Sequence, residues 1–125
     1  MIYLDTHVVV WLYAGEDGKF TARARRLIED NELLISPMVL LELQYLKEIG
    51  RITADPALMV ESLSDAVGLR YCPKSFLQVA EGALLVNWTR DPFDRMIVAA
   101  AQVGRDMLLT KDEMIHANYV HAAWV

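Results

Sequence analysis

Four short apolar runs recur along the chain: IYL at 2–4, LLI at 33–35, LRYC at 69–72 and MLLT at 107–110. VHAAWV at 120–125 is a candidate fifth. Each is strand-sized and bounded by turn or cap residues, as short buried strands are. Between them the spacing predicts helices over 6–14, 21–30, 36–50, 55–68, 75–86 and 91–104, with GEDGK at 15–19 as a loop. Strands this short, separated by helices, indicate an α/β sandwich: helices in layers around a mainly parallel sheet of four to five short strands. At 125 residues, with no repeat, low-complexity tract or linker, residues 1–125 read as one domain with one core.

Composition removes several function classes. Hydrophobic residues make up 54% and charged residues 23%, which excludes a disordered chain and suggests a densely packed interior, with a subunit interface besides. VVVWLYA and MIVAAA fall short of the ~20 residues of a membrane span. MIYLDTH lacks a basic leader segment, so no cleaved signal peptide is expected. The single cysteine, Cys72, has no partner for an internal disulfide, which suits a reducing cytoplasm. With a formal net charge of −5, any contact with nucleic acid must rest on a local patch.

Ser36-Pro37, Asp55-Pro56 and Asp91-Pro92 open helices in the same way. The side-chain oxygen caps an orphan N–H, and proline takes the first helical position, where its missing N–H is no loss. In RDPFDR this gives Asp91 a sufficient structural role as N-cap. Asp94 falls at the third helical position, where an acid can complete a capping box and meets the helix dipole.

Glu42 is a different case. On a helical wheel of SPMVLLELQYLKEIG, Gln44, Lys47, Glu48 and Arg51 form the polar face. Met38, Tyr45 and Ile49 share the side of Glu42. A carboxylate among apolar neighbours is costly unless paired, protonated or bound to a cation. The structural alternative is a buried pair with an arginine. Asp5 follows the first strand and Asp112 the fourth, at the carboxyl end of a sheet where ligands bind in open α/β folds. Asp5 has the alternative role of helix N-cap, Asp112 that of turn or cap. These structural explanations are independent of one another. A sheet that brought Asp5, Glu42, Asp94 and Asp112 to one edge would give them a common cause.

Four carboxylates together raise one another's pKa and call for cations. Hard oxygen donors suit Mg²⁺ or Mn²⁺. Such ions bind phosphate oxygens, make hydroxide available from water and stabilise a leaving oxygen, which points to phosphodiester hydrolysis. No Ser/His/Asp set, GxxxxGK[ST] loop or GxGxxG stretch competes for the role.

Taken together, MIYLDTHVVVWL, SPMVLLELQYL, RDPFDRMIVAAA and LLTKDEMI resemble PIN-domain toxins of the VapC type, in order and spacing along essentially the whole chain. The DPFDR block marks a subgroup. The resemblance implies a PIN-like three-layer α/β/α sandwich and an Mg²⁺- or Mn²⁺-dependent endoribonuclease. It implies RNA as substrate and a cognate VapB-like antitoxin as the restraining partner in a type II toxin–antitoxin module. The family's acids fall on Asp5, Glu42, Asp94 and Asp112, and its small hydroxylated residues on Thr6 and Thr110. A homodimer is expected, with no membrane role. Two other classes stay open: a metal-dependent phosphoesterase acting on DNA or a small phosphate ester, and a non-catalytic PIN-like binding module.

Basic residues can be placed beside this set. Arg90 and Arg95 bracket DPFD, with Arg95 and Asp91 as possible support for the site. Arg23, Arg25 and Arg26 are either an RNA grip or a solvated helix face. Lys111 adjoins Asp112 and is otherwise a surface lysine. His7, His116 and His121 lack zinc-ligand spacing and read as structural or surface residues, His7 being nearest the site. Trp11, Tyr13 and Met38 read as core or interface rather than base-stacking platforms.

Overall fold

The computed structural model describes residues 1–125. In chain order the elements are β1 (Ile2–Leu4), α1 (Thr6–Ala14), a 3-10 turn (Asp17–Lys19), α2 (Ala22–Asp30), β2 (Leu33–Ile35), α3 (Pro37–Glu48), α4 (Pro56–Val67), β3 (Arg70–Tyr71), α5 (Phe76–Ala83), α6 (Pro92–Gln102), β4 (Met107–Leu109), α7 (Glu113–Asn118) and β5 (Ala122–Ala123). All five strands are parallel, in the order β3-β2-β1-β4-β5. Every residue of β1 and β2 is buried. Both sheet faces are therefore covered by helices, which makes a three-layer α/β/α sandwich.

The topology fixes where a ligand can sit. From central β1 the chain steps outward through β2 to β3, then returns to place β4 on the other side of β1. The connections leaving β1 and β4 thus diverge at the carboxyl edge, opening a crevice between the two strands. Asp5 follows β1 and Thr110–Asp112 follow β4, so both acids lie at this switch point.

The helix starts follow from capping chemistry. Ser36 accepts from Met38 N–H, Asp55 from Ala57 and Leu58, and Asp91 from Phe93 and Asp94. Gly15 and Gly68 close α1 and α4 at φ 69° and 73°, a left-handed conformation that glycine adopts without Cβ strain. In α6, Ile97, Val98, Ala99, Ala100 and Ala101 are all buried. Three consecutive alanines let this helix, which carries Asp94 at its start, lie close to its neighbours.

Several expectations change. GEDGK contains the short 3-10 turn. The strand expected over 69–72 is two residues long, and the last is confined to Ala122–Ala123. The sequence pattern does not predict helix α7: at six residues it is too short to show periodicity, and its clearest start signal is Asp112 itself. The wheel also misplaced the buried side of α3. Its core stripe is Val39, Leu43 and Leu46, while Tyr45 and Ile49 are exposed. Glu42 stands at the edge of that stripe, half-buried. Tyr13 is exposed, which excludes the core of this chain as its place and leaves the interface expectation open.

Candidate metal centre

Asp5 caps α1. Its Oδ1 accepts from the Thr6 N–H at 2.8 Å and its Oδ2 accepts from the Thr110 hydroxyl at 2.6 Å. The Thr6 hydroxyl donates to Glu42 Oε1. Both threonines are 0% exposed and Asp5 is 9% exposed. Thr110 in turn accepts from the Asp112 N–H at 3.0 Å, and Asp112 Oδ1 caps α7 by accepting from Ile115 N–H at 3.0 Å. One chain of hydrogen bonds therefore runs from α3 through α1 and β1 to β4 and α7. The small hydroxylated residues beside the first and last acids are its links.

Asp94 approaches from α6. Burial pushes its carboxyl up from 3.8 to about 7, reinforced by the charges of Asp91, Asp5, Asp112 and Glu42. Every one of these influences acts in the same direction. Asp5 is raised first by burial. Its bonds from Thr110 and Thr6 and the nearby His7 pull the other way, and Asp112 adds to the rise. Glu42 is raised by burial against the opposing Thr6 bond, with Asp5 and Asp91 adding to it. The acids anticipated at one edge are thus close enough to feel one another's charge.

Asp91 serves as a cap: its Oδ1 accepts from Phe93 N–H at 2.8 Å and Asp94 N–H at 3.3 Å. Arg95 turns to the Thr89 carbonyl at 2.9 Å and Arg90 to the Asn87 carbonyl at 3.0 Å. Both therefore brace the loop before α6. Arg23 and Arg25 are exposed and donate to the Val125 and Asp17 carbonyls. His116 Nε2 lies 2.6 Å from the Thr110 carbonyl, a structural tie between α7 and the turn after β4.

The donor chemistry suits Mg²⁺ or Mn²⁺: hard carboxylate oxygens, crowded enough to resist ionising together. No three His, Cys, Asp or Glu side chains are drawn into a ready-made cage. Mg²⁺ does not need one, because it is commonly held by one or two carboxylates while keeping several waters. A cation here would offset both the burial and the neighbouring negative charges that lift Asp94.

Lys19 and Trp124 carry no signal in the sequence, and Trp11 and Lys111 have only default roles there, yet the four meet in the structure. Lys111 Nζ lies 5.6 Å from the Trp11 ring centre and 5.9 Å from that of Trp124. No local signal marks these pairings, since they join α1, the end of β4 and the end of β5.

The sequence matches the family model for the PIN domain over residues 2–120. No curated protein matches it significantly. Among solved structures, the fold is similar to VapBC2 from Rickettsia felis bound to a fragment of its promoter DNA (TM-score 0.68, 18% identity, 100% of both chains covered). It is also similar to a toxin–antitoxin complex from Klebsiella pneumoniae (TM-score 0.66, 17% identity, 98% of this chain and 96% of that one). A third is DNA-bound VapBC from Salmonella typhimurium (TM-score 0.62, 16% identity, 97% and 93%). At these identities the structures speak for the fold, while the family model, matching nearly the whole length, speaks for descent: the chain belongs to the PIN domain family.

Proposed function

We propose that this protein is an Mg²⁺- or Mn²⁺-dependent endoribonuclease, the toxin of a VapC-type module restrained by a VapB-like antitoxin. The observation that carries the reading is the crowding of Asp5, Glu42, Asp94 and Asp112 at the switch point, where Asp94 is pushed up to about 7. Asp5, Glu42, Asp94 and Asp112 would hold the ion, directly or through water. Such an ion would supply positive charge for phosphate oxygens and would make water easier to deprotonate.

The chain's own contribution is placement. Thr110 and the Thr6 N–H fix both oxygens of Asp5, and the Thr6 hydroxyl fixes one oxygen of Glu42. The Asp91 cap and Pro92 set the first turn of α6, and with it the position of Asp94. Little side-chain freedom then remains to be lost when substrate binds. Phe76, Leu77, Leu84 and Leu85 are largely exposed on and just after α5. This apolar surface supports a second copy of the chain or an antitoxin segment as partner.

The test is cleavage of a panel of RNA, DNA and a small phosphate ester, with Mg²⁺, with Mn²⁺ and with EDTA. Internal cleavage of RNA alone, abolished by EDTA, is expected. Preference for DNA or the ester would move the protein to another phosphoesterase class. Inactivity on all three, with no Mn²⁺ binding by calorimetry, would leave a non-catalytic binding module.

A further inference from the structure

We propose that Lys111, which directly precedes Asp112, and Lys19, gathered with it over the Trp11 indole, form a phosphate grip for single-stranded RNA. An adjoining pocket would take one nucleoside. The inference rests on the ribonuclease reading and adds where the strand lies.

The geometry begins with Trp11 on α1, one turn beyond His7, their ring centres 6.1 Å apart. Trp124, just after β5, meets Trp11 edge-on at 5.8 Å and 67°. Lys19 Nζ stands 5.3 Å from the Trp11 ring centre, and Lys111 Nζ stands 5.6 and 5.9 Å from the Trp11 and Trp124 centres. The rings attract both ammonium groups and restrict their long stems. Neither lysine is in an ion pair; the salt bridges of the chain are Arg70–Glu32 and Lys74–Asp106. Two cations are thus gathered without a counter-charge of their own.

Their position gives the ligand class. Lys111 lies between Thr110, which holds Asp5, and Asp112. His7 directly follows Thr6, whose N–H and hydroxyl donate to Asp5 and Glu42, and its ring faces Trp11. A strand whose scissile phosphate sits at the acids would bring a neighbouring phosphate to this flank. On a chain of net charge −5, such a local grip is needed to offset the overall repulsion of a polyanion.

Next to it lies a pocket of about 500 Å³, lined by Lys111, Glu113, His116, Ala117, Trp124 and Val125. Its wall is fixed from behind: Thr21 donates to the Trp124 carbonyl at 2.5 Å and Arg23 to the Val125 carbonyl at 2.6 Å. Trp124 is 5% exposed and so serves as wall rather than stacking face. The Glu113 carboxylate on the rim repels phosphate and accepts from an amino group. Phosphate therefore belongs on the Lys19–Trp11 side and the base on the Glu113–His116 side.

The test is fluorescence anisotropy of a labelled single-stranded RNA in EDTA across a salt series, with KM and kcat measured separately in Mn²⁺. The Lys19→Ala/Lys111→Ala double variant should bind about tenfold or more weakly, with a salt slope shallower by roughly 1.4 for two lost single-strand phosphate contacts. Its KM should rise more than its kcat falls. Arg70→Ala, which removes an exposed cation elsewhere, should change neither. Double-variant affinity and slope equal to wild type, or a wild type that binds no RNA in EDTA, would overturn the grip. So would an acidic peptide that depends on the two lysines while RNA does not. A wild type that fails to cleave RNA in Mn²⁺ while the lysine-dependent binding persists would instead overturn the ribonuclease reading.

Discussion

Thr110 donates its hydroxyl to Asp5 Oδ2 at 2.6 Å across 105 positions of sequence, joining the ends of β4 and β1 at the switch point. Both groups are buried, so removing the hydroxyl leaves a carboxylate oxygen without its partner. Thr110→Val keeps the shape and should destabilise the fold by ~1–3 kcal/mol, while Thr110→Ser should recover most of the loss. Urea denaturation of the three proteins checks this; a Thr110→Val midpoint equal to wild type would contradict it.

The crowded acids give a pH dependence with a definite sign. Asp94 is raised from 3.8 to about 7, and Asp5 and Glu42 are raised too. The folded metal-free chain thus binds more protons than the unfolded one in the window from about 4 to about 7, and the contribution is lost as pH rises through it. Metal-free Tm should fall from pH 5 to pH 8, and Mn²⁺ should restore more stability at pH 8 than at pH 5. Asp94→Asn should flatten the profile. A metal-free Tm that rises over this interval would refute the assignment.

Lys74 separates folding from chemistry. Its ammonium donates to the Ala100 carbonyl at 2.6 Å, to Asp106 Oδ2 at 3.2 Å and to the Tyr3 hydroxyl at 3.2 Å. Its side chain is 18% exposed and that of Asp106 is 16% exposed. Lys74→Met leaves a largely buried carboxylate unpaired and should cost about 2–3 kcal/mol, discounted for the remaining solvent contact. Cleavage per folded molecule should be unchanged. Normal stability with lost cleavage would reverse the division.

What could be read from the sequence was what is encoded locally. Ser36-Pro37, Asp55-Pro56 and Asp91-Pro92 announce their helices because capping needs only neighbouring residues. Buried strands of three residues show as compact apolar runs. Glu42 stands out as a carboxylate in an apolar helix, yet α3 is apolar over so much of its surface that a wheel groups Glu42 with Met38, Tyr45 and Ile49, whereas the buried residues are Val39, Leu43 and Leu46. The Thr6–Glu42 bond, the Lys74–Asp106 pair and the Lys111–Trp11–Trp124 group join positions far apart in sequence. No local pattern encodes them, and they emerge only when the sheet closes.

The most direct measurement is Mn²⁺-dependent RNA cleavage by Asp94→Asn and Asp91→Asn side by side. Asn caps a helix about as well as Asp, so Asp91→Asn should keep α6 in place and retain most activity. Asp94→Asn removes a carboxylate from the crowded cluster and should abolish cleavage while raising metal-free Tm at pH 8. Equal loss of cleavage in both variants, or full activity in Asp94→Asn, would contradict a metal site built on Asp94 with Asp91 as its cap.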